Sequence, residues 1–588
     1  MSTLDTKVVG GTVIDGTGSA PRRANVGIRD GKIVEIGECT ASADKTIDAQ
    51  GALVTPGFID LHCHYDGQVS WDPDLVPTVL HGVTTCVMGN CGVGFAPVHP
   101  KDRTRLIELM EGVEDIPGSA LSEGIHWNWE SFREYLDAID VDHALDIAAQ
   151  ATHDPLRVYV MGDRAIAGQA ATDEDIAQMR AHLHDALKAG AIGFSTGRSD
   201  NHKSSRGEDT PAAEAQAREL CGIVKAFEGL SHGVVQAVSD FDMAAGSEHF
   251  DREYQLLEDM AQSANRPFSI SLSQRDMDSE QWKKIITRAE QSHAKGIDFR
   301  LQVAPRPIGV IIGLECSLHP FMGFPSYKKI AHLPLPERVT VMREPSFRAQ
   351  ILSEKSDKLA GDGSPLPPLV DKFIEAIEFA TMRLFPLQAE KPDYLPPRSA
   401  SIFARALQES RSPLEVLYDV LIEENGERLI YLPIYNYTDF NDHALHTMLT
   451  HPLALPGLSD GGAHVGTVCD ASFPSFFLSY WGRDRTEGTL PLQRIVQMLS
   501  HDGAKYLGLS DRGSLAVGMR ADLNVIDLEA LTLFRPRVVR DLPAGGKRLL
   551  QDVRGFRATL VNGVAAALDG RLTGQRPGRL LRAGAHRS

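Results

Sequence analysis

Eight short apolar segments, each ending in a turn or helix-start signal and separated by stretches of helical spacing, set the tightest limit on what this chain can become. They are Phe58–Leu61, Thr84–Met88, Asp146–Thr152, Ala191–Ser195, Val234–Val238, Phe268–Leu272, Phe299–Val303 and Ala454–Leu458. Strand and helix patterns that alternate imply a parallel sheet wrapped by helices. Eight such strands predict an α/β fold, a (β/α)8 TIM-like barrel over residues 57–510, with its chemistry at the C-terminal strand ends.

The flanks follow a different rule. Residues 1–56 read as short strands, Val8–Ile14, Ala24–Arg29 and Lys32–Ile36, with a two-residue hairpin turn at Asp30-Gly31. Residues 511–568 return to that pattern around a second turn at Asn562-Gly563, so both ends are expected to pair into one small β-sandwich. About 150 residues separate the seventh and eighth strands, too many for an ordinary connection, which predicts an insertion at about 305–450. It holds proline clusters at Pro365-Leu-Pro-Pro and Pro392-Asp-Tyr-Leu-Pro-Pro and helical patterns at Leu369–Phe379 and Pro413–Glu424. The tail, 569–588, is rich in Arg and Gly and is expected to be loosely ordered.

Charge narrows the partners. With 78 Asp+Glu against 60 Lys+Arg, neither nucleic acid nor an anionic membrane is expected as the main partner. A small-molecule substrate is expected instead, and a homo-oligomer stays open. Seven scattered cysteines do not make a disulfide framework for a chain of 588 residues, which points to a reducing cytoplasm. The N-terminus has no basic segment followed by an apolar one, and no run of 18 apolar residues occurs.

The first strand candidate runs into His62-Cys63-His64. Side chains at i and i+2 on a strand share a face, so two imidazoles there can grip one metal ion. With 21 histidines, on the order of one such spacing arises by chance. His182 and His184 are the internal control: they lie between Thr172, a plausible N-cap, and Gly190, a stop, with Ile176, Met179, Leu183 and Leu187 at helical spacing. On a helix the pair points about 200° apart and does not chelate. Cys91 sits in a glycine-rich turn after the second strand, where a thiolate would be a soft ligand for Zn²⁺ and a thiol a small buried residue. Asp460, in Leu-Ser-Asp-Gly-Gly after the eighth strand, reads in isolation as a turn aspartate and in the barrel as a carboxylate aimed at the same mouth.

Taken together these segments resemble the amidohydrolase superfamily: Pro-Gly-Phe-Ile-Asp-Leu-His-Cys-His after an N-terminal β-module, and Leu-Ser-Asp-Gly-Gly at the last strand. Gly89-Asn-Cys-Gly, the segment from Gly193 to Lys203, and Val525-Ile-Asp with Val561-Asn-Gly are similar to the N-acyl-D-amino-acid deacylase branch. The resemblance implies that His62, His64 and Cys91 are metal ligands, and that Asp460 is the general acid/base and a possible further ligand. It implies deacylation of an N-acyl amino acid or related acyl amide by metal-activated water. One departure is plain. In that branch the fifth and sixth strands each end in a metal-binding histidine, and here Val234–Asp240 and Phe268–Gln274 contain none. The fourth strand also lacks the lysine of a carbamylated two-metal centre, so one zinc ion on His62, His64, Cys91 and Asp460 is expected over two. The branch's basic residue after its sixth-strand histidine is absent as well. Arg198, after strand four, is the expected partner of a substrate carboxylate or else a structural ion pair. His202 and His464 are expected to line the pocket, and His153 belongs to the same open group. Two other readings stand beside this one: a cyclic amidase of the hydantoinase or dihydropyrimidinase type, disfavoured by the missing lysine, and a catalytically inactive barrel serving assembly.

Overall fold

A computed structural model describes residues 3–241, 246–360, 366 and 369–584. All eight expected strands form, as Phe58–Asp60, Val83–Met88, Asp146–Thr152, Gly193–Arg198, Val234–Ser239, Phe268–Ser271, Phe299–Val303 and Ala454–Pro456. They join in that order in one parallel sheet. Every residue of the second and third strands is buried, as expected of a sheet covered on both faces. The first and eighth strands are not paired along their length. They meet only where their C-terminal ends enter the loops: Asp460 N–H donates to His62 O at 3.1 Å and His64 N–H to Gly461 O at 2.7 Å. The barrel therefore closes at its functional rim.

Helix Asp173–Ala189 shows why the intervening segments are helical. Thr172 caps it with a reciprocal Thr172/Asp175 capping box, and Gly190 ends it at φ +115°. His182 and His184 lie on this helix, the first against the Tyr159 ring and the second on Ala226 O, so the two rings have separate surroundings.

Both chain ends share one nine-stranded sheet, seamed where Leu53–Pro56 runs antiparallel to Leu523–Ile526. The two anticipated hairpin turns have positive φ at both central residues, 50° and 70° at Asp30-Gly31, and 51° and 78° at Asn562-Gly563. They also pack on each other, since a Cβ at Gly31 would lie 2.3 Å from Asn562 Oδ1. Among its described residues the insertion forms regular structure. It carries a three-stranded sheet of Ile308–Ile312, Ile430–Tyr435 and Phe385–Pro386, with helices such as Pro413–Leu421 closing a core of its own around Phe321, Met342, Ile402 and Leu417. The helical pattern at Leu369–Phe379 appears as Leu369–Glu375 and Ile377–Ala380. Of the Pro365-Leu-Pro-Pro cluster, residues 365, 367 and 368 lie outside the described residues. Among the described residues, no helix is long and apolar enough to cross a membrane.

The tail corrects the expectation of looseness as far as Gly584. It threads under the barrel, with Ile147 N–H donating to Arg579 O and Leu581 N–H to Ile147 O, and buries Leu580 and Leu581. The Gly-rich composition that suggests solvation serves close approach instead: a Cβ at Gly578 would sit 2.2 Å from the Leu145 carbonyl. Asp146, at the base of the third strand, gathers this region. It accepts from Arg512 Nη1 at 2.5 Å, from Arg579 N–H at 2.8 Å, and pairs with Arg520 Nη2 at 2.9 Å. Replacing Asp146 by alanine leaves two buried guanidinium groups without this partner and should cost about 3–5 kcal/mol. The check is the denaturant midpoint, and an unchanged midpoint would contradict this role.

Candidate metal centre

Because strand one ends at Asp60, His62 and His64 stand just past its tip with ring centroids 5.3 Å apart. Both are 1% exposed. Cys91 is delivered from the turn after strand two, which folds back because Gly89 and Gly92 accept positive φ against backbone of strands three and four. Cys91 Sγ lies 3.3 Å from His62 Nε2 and 3.7 Å from His64 Nε2, and one ligand atom from each of the three falls within 4.8 Å of the others. Asp460 stands beside this three-residue group, with Oδ1 3.4 Å from His62 Nε2 and 3.8 Å from His64 Nε2. The structure thus brings the two imidazoles and the thiol within reach of one ion, and the carboxylate to the two imidazoles.

The local backbone is held in costly conformations. Cys91, Leu458, Asp460 and His464 have φ of 56°, 60°, 48° and 48°, each worth about 1–3 kcal/mol for a residue with a Cβ. Such strain is maintained by partners. Asn90 Nδ2 bonds Cys63 O and Val87 O, Gln150 Nε2 bonds Asn90 Oδ1, and Gln236 Oε1 accepts from Cys91 N–H. On strand seven, Gln302 Nε2 donates to Ser269 Oγ, which turns Oε1 toward His62 Nδ1 at 2.9 Å. With the proton on Nδ1, His62 Nε2 presents its lone pair to Cys91.

Electrostatics fit a cation. Burial holds His62 down to about 4, and burial together with the neighbouring His62, His464 and His202 holds His64 well below the usual imidazole range, so both are neutral donors. Burial pushes the Cys91 thiol well above its ordinary value, with Glu114 and Asp460 adding to it, and raises Asp460 to about 7. A divalent ion would reverse these costs on the thiol and the carboxylate. Two imidazoles, a thiol and a carboxylate form a donor set suited to zinc.

His202 and His464 are brought beside this group. Each is lowered to about 4, His202 by burial and His62, His464 by burial, His202 and His62. Arg198 is a correction. Its Nε and Nη2 donate to Glu253 Oε2 at 3.0 and 2.9 Å and its Nη1 to Ala215 O at 2.7 Å, so its charge is already neutralised in the fold. His153 is also structural, with Nδ1 on Thr196 Oγ1 and Nε2 on Glu219 Oε1. Three residues that touch the site, and a fourth past the end of strand six, are not singled out by sequence reasoning. Gln236 and Gln302 carry no sequence signal beyond lying in strands, and Glu114 ends a helix remote in sequence from any motif. Arg275 was accessible, standing four residues past strand six. Its Nη2 donates to Ser239 O and Nη1 to Gln281 Oε1, its Nε has no partner, and no carboxylate pairs with it among the described residues.

Residues 45–363 and 427–567 match the amidohydrolase family, and the interruption falls inside the insertion. The chain is 27% identical to D-aminoacylase of Alcaligenes xylosoxydans xylosoxydans over 98% of this chain and 97% of that one. It is 38% identical to N-acyl-D-aspartate deacylase of the same organism over 32% of this chain and 36% of that one. A solved structure of N-acyl-D-glutamate deacylase from Bordetella bronchiseptica, with zinc and a phosphonate inhibitor, superposes with a TM-score of 0.63 at 22% identity, covering 99% of this chain and 100% of that one. That last likeness speaks to the fold alone.

Since the imidazoles are neutral and the free thiol protonated, zinc loading of metal-free protein at pH 7 should release about one proton per ion from Cys91, plus a fraction from Asp460. A pH indicator in weak buffer reads this directly. Absence of release would show that the thiol is not a ligand.

Proposed function

This chain belongs to the amidohydrolase family, and from that footing we propose that it is a metal-dependent hydrolase that deacylates N-acyl amino acids. The observation that carries the proposal is the convergence of His62, His64, Cys91 and Asp460 from the rim of strands one, two and eight. The D configuration of the amino acid is taken from the named relatives. Zinc is the proposed metal, on the thiol and imidazole donors. One ion is favoured because strands five and six bring Gln236 and Ser269 to the interior in place of histidine. Cytoplasmic residence is the proposed location, supported by seven unpaired thiols.

When bound, the cation supplies Lewis acidity, acidifying water and polarising the scissile carbonyl. The protein's own share is proton handling and placement. Asp460, only 15% exposed, holds its Oδ1 3.4 Å from His62 Nε2 at the edge of the proposed donor set, where its carboxylate serves as the general base. Its carboxylate takes the proton of the attacking water and then delivers it to the amine nitrogen as the C–N bond breaks. Gln302 holds His62 in the tautomer that leaves Nε2 free, and Gln236 fixes the backbone of Cys91. Arg275 replaces Arg198 as the proposed partner of the substrate carboxylate, because its guanidinium meets only neutral acceptors and retains an unsatisfied Nε.

Asp460→Asn should retain bound metal and native melting yet lose about 10²–10⁴-fold in kcat on N-acetyl-amino acids. Near-full activity in that variant would sink the proposed role. The assay panel should include hydantoin and dihydrouracil; ring opening faster than deacylation would overturn the substrate class. Arg275→Gln should raise KM about tenfold or more for a carboxylate-bearing substrate and leave that for its methyl ester nearly unchanged. Equal effects on acid and ester would exclude a direct contact.

A further inference from the structure

Glu114 is the last residue of helix Arg103–Glu114, which stops there because Asp115 turns into the left-handed region at φ +49°. This is a poor place for a carboxylate. It is 1% exposed, at the negative end of a helix, and no lysine or arginine pairs with it among the described residues. Its two oxygens face two different imidazoles instead. Oε1 is 3.3 Å from His64 Nδ1, and neither atom makes a hydrogen bond in this structure, to the other or to any further group. Oε2 is 3.4 Å from His464 Nε2, while the Glu114 carbonyl accepts from the His464 N–H. His64 points its other nitrogen, Nε2, at Cys91 Sγ and Asp460 Oδ1.

We propose that Glu114 is a positioning residue that takes the Nδ1 proton of His64 at Oε1 as a hydrogen bond, leaving His64 Nε2 as the bare donor, and with Oε2 ties the His464 loop to that same imidazole. A carboxylate on the far nitrogen of a metal-binding histidine both orients the ring and raises its basicity. His62 has the neutral counterpart of this support in Gln302, so the two imidazoles are held by different chemistry. The tie to His464 has a second effect: placement of the pocket histidine follows occupation of the metal centre. This role for Glu114 rests on the metal centre proposed above.

The test measures zinc affinity by competition with a chromogenic chelator, and the absorption of the cobalt(II)-loaded protein, in His64→Ala, Glu114→Gln, Glu114→Ala and His464→Ala. His64→Ala should abolish tight binding. Glu114→Gln and Glu114→Ala should weaken it about 10–100-fold, with the thiolate–cobalt absorption pattern at saturation unchanged. If Glu114→Ala does not fold, Glu114→Gln, which keeps the side chain's shape, carries the result. His464→Ala should weaken binding in the parent and add nothing on top of the Glu114 substitution. Unchanged affinity in both Glu114 variants, with His64→Ala impaired, overturns the positioning role and leaves the metal centre standing. Unchanged affinity in His64→Ala removes the metal centre itself. An altered cobalt spectrum in Glu114→Gln would make Glu114 a direct ligand, and full additivity with His464→Ala would refute the tie.

Discussion

Closure of the barrel between its first and eighth strands is the constraint on which the rest of the molecule depends. These strands share no ladder with each other, and the ring is completed by the Asp460-to-His62 and His64-to-Gly461 backbone hydrogen bonds. Ser459 Oγ adds contacts to His62 O and Asp60. Three of the four peptide groups that close the fold thus belong to His62, His64 and Asp460 themselves. A displacement of the eighth-strand loop cannot move the carboxylate away from the imidazoles without also opening the ring. Fold stability and site geometry share the same bonds.

The interior above this seam is polar, which is unusual for a barrel filled by branched apolar side chains. Gln150, Gln236 and Gln302 are all buried, and they hold Asn90, the Cys91 backbone and the His62 ring respectively. Amides suit this work because one side chain can accept and donate without adding charge, as Gln302 does between His62 and Ser269, while Gln150 Oε1 and Gln236 Nε2 have no partner. Burial alone accounts for the rise of Asp460 to about 7, and no fixed cation of the protein offsets it among the described residues.

Much of this architecture is legible in the sequence, and the illegible part has physical causes. The eight strands stand out because buried parallel strands are short apolar runs bounded by turns. His62 and His64 stand out because only strand geometry makes an i, i+2 pair converge, and the helix carrying His182 and His184 supplies the contrast. Glu114 and Gln302 stay hidden because each acts through a contact between remote stretches of chain that no local pattern announces. Arg198 misleads for a related reason: a cation at a strand end looks available until its partner is seen, and Glu253 lies 55 residues away. The tail misleads through composition, since the glycine that suggests flexibility is there to let two backbones touch.

The passage of the final segment beneath the barrel ties the floor of the ring to distant stretches of chain. Asp146 meets the Arg512 guanidinium 366 residues on, the Arg520 guanidinium 374 residues on and the Arg579 amide 433 residues on. Contacts of that separation carry a larger closure entropy than pairings between consecutive strands, so the floor is the part of the ring whose sealing costs the chain most freedom.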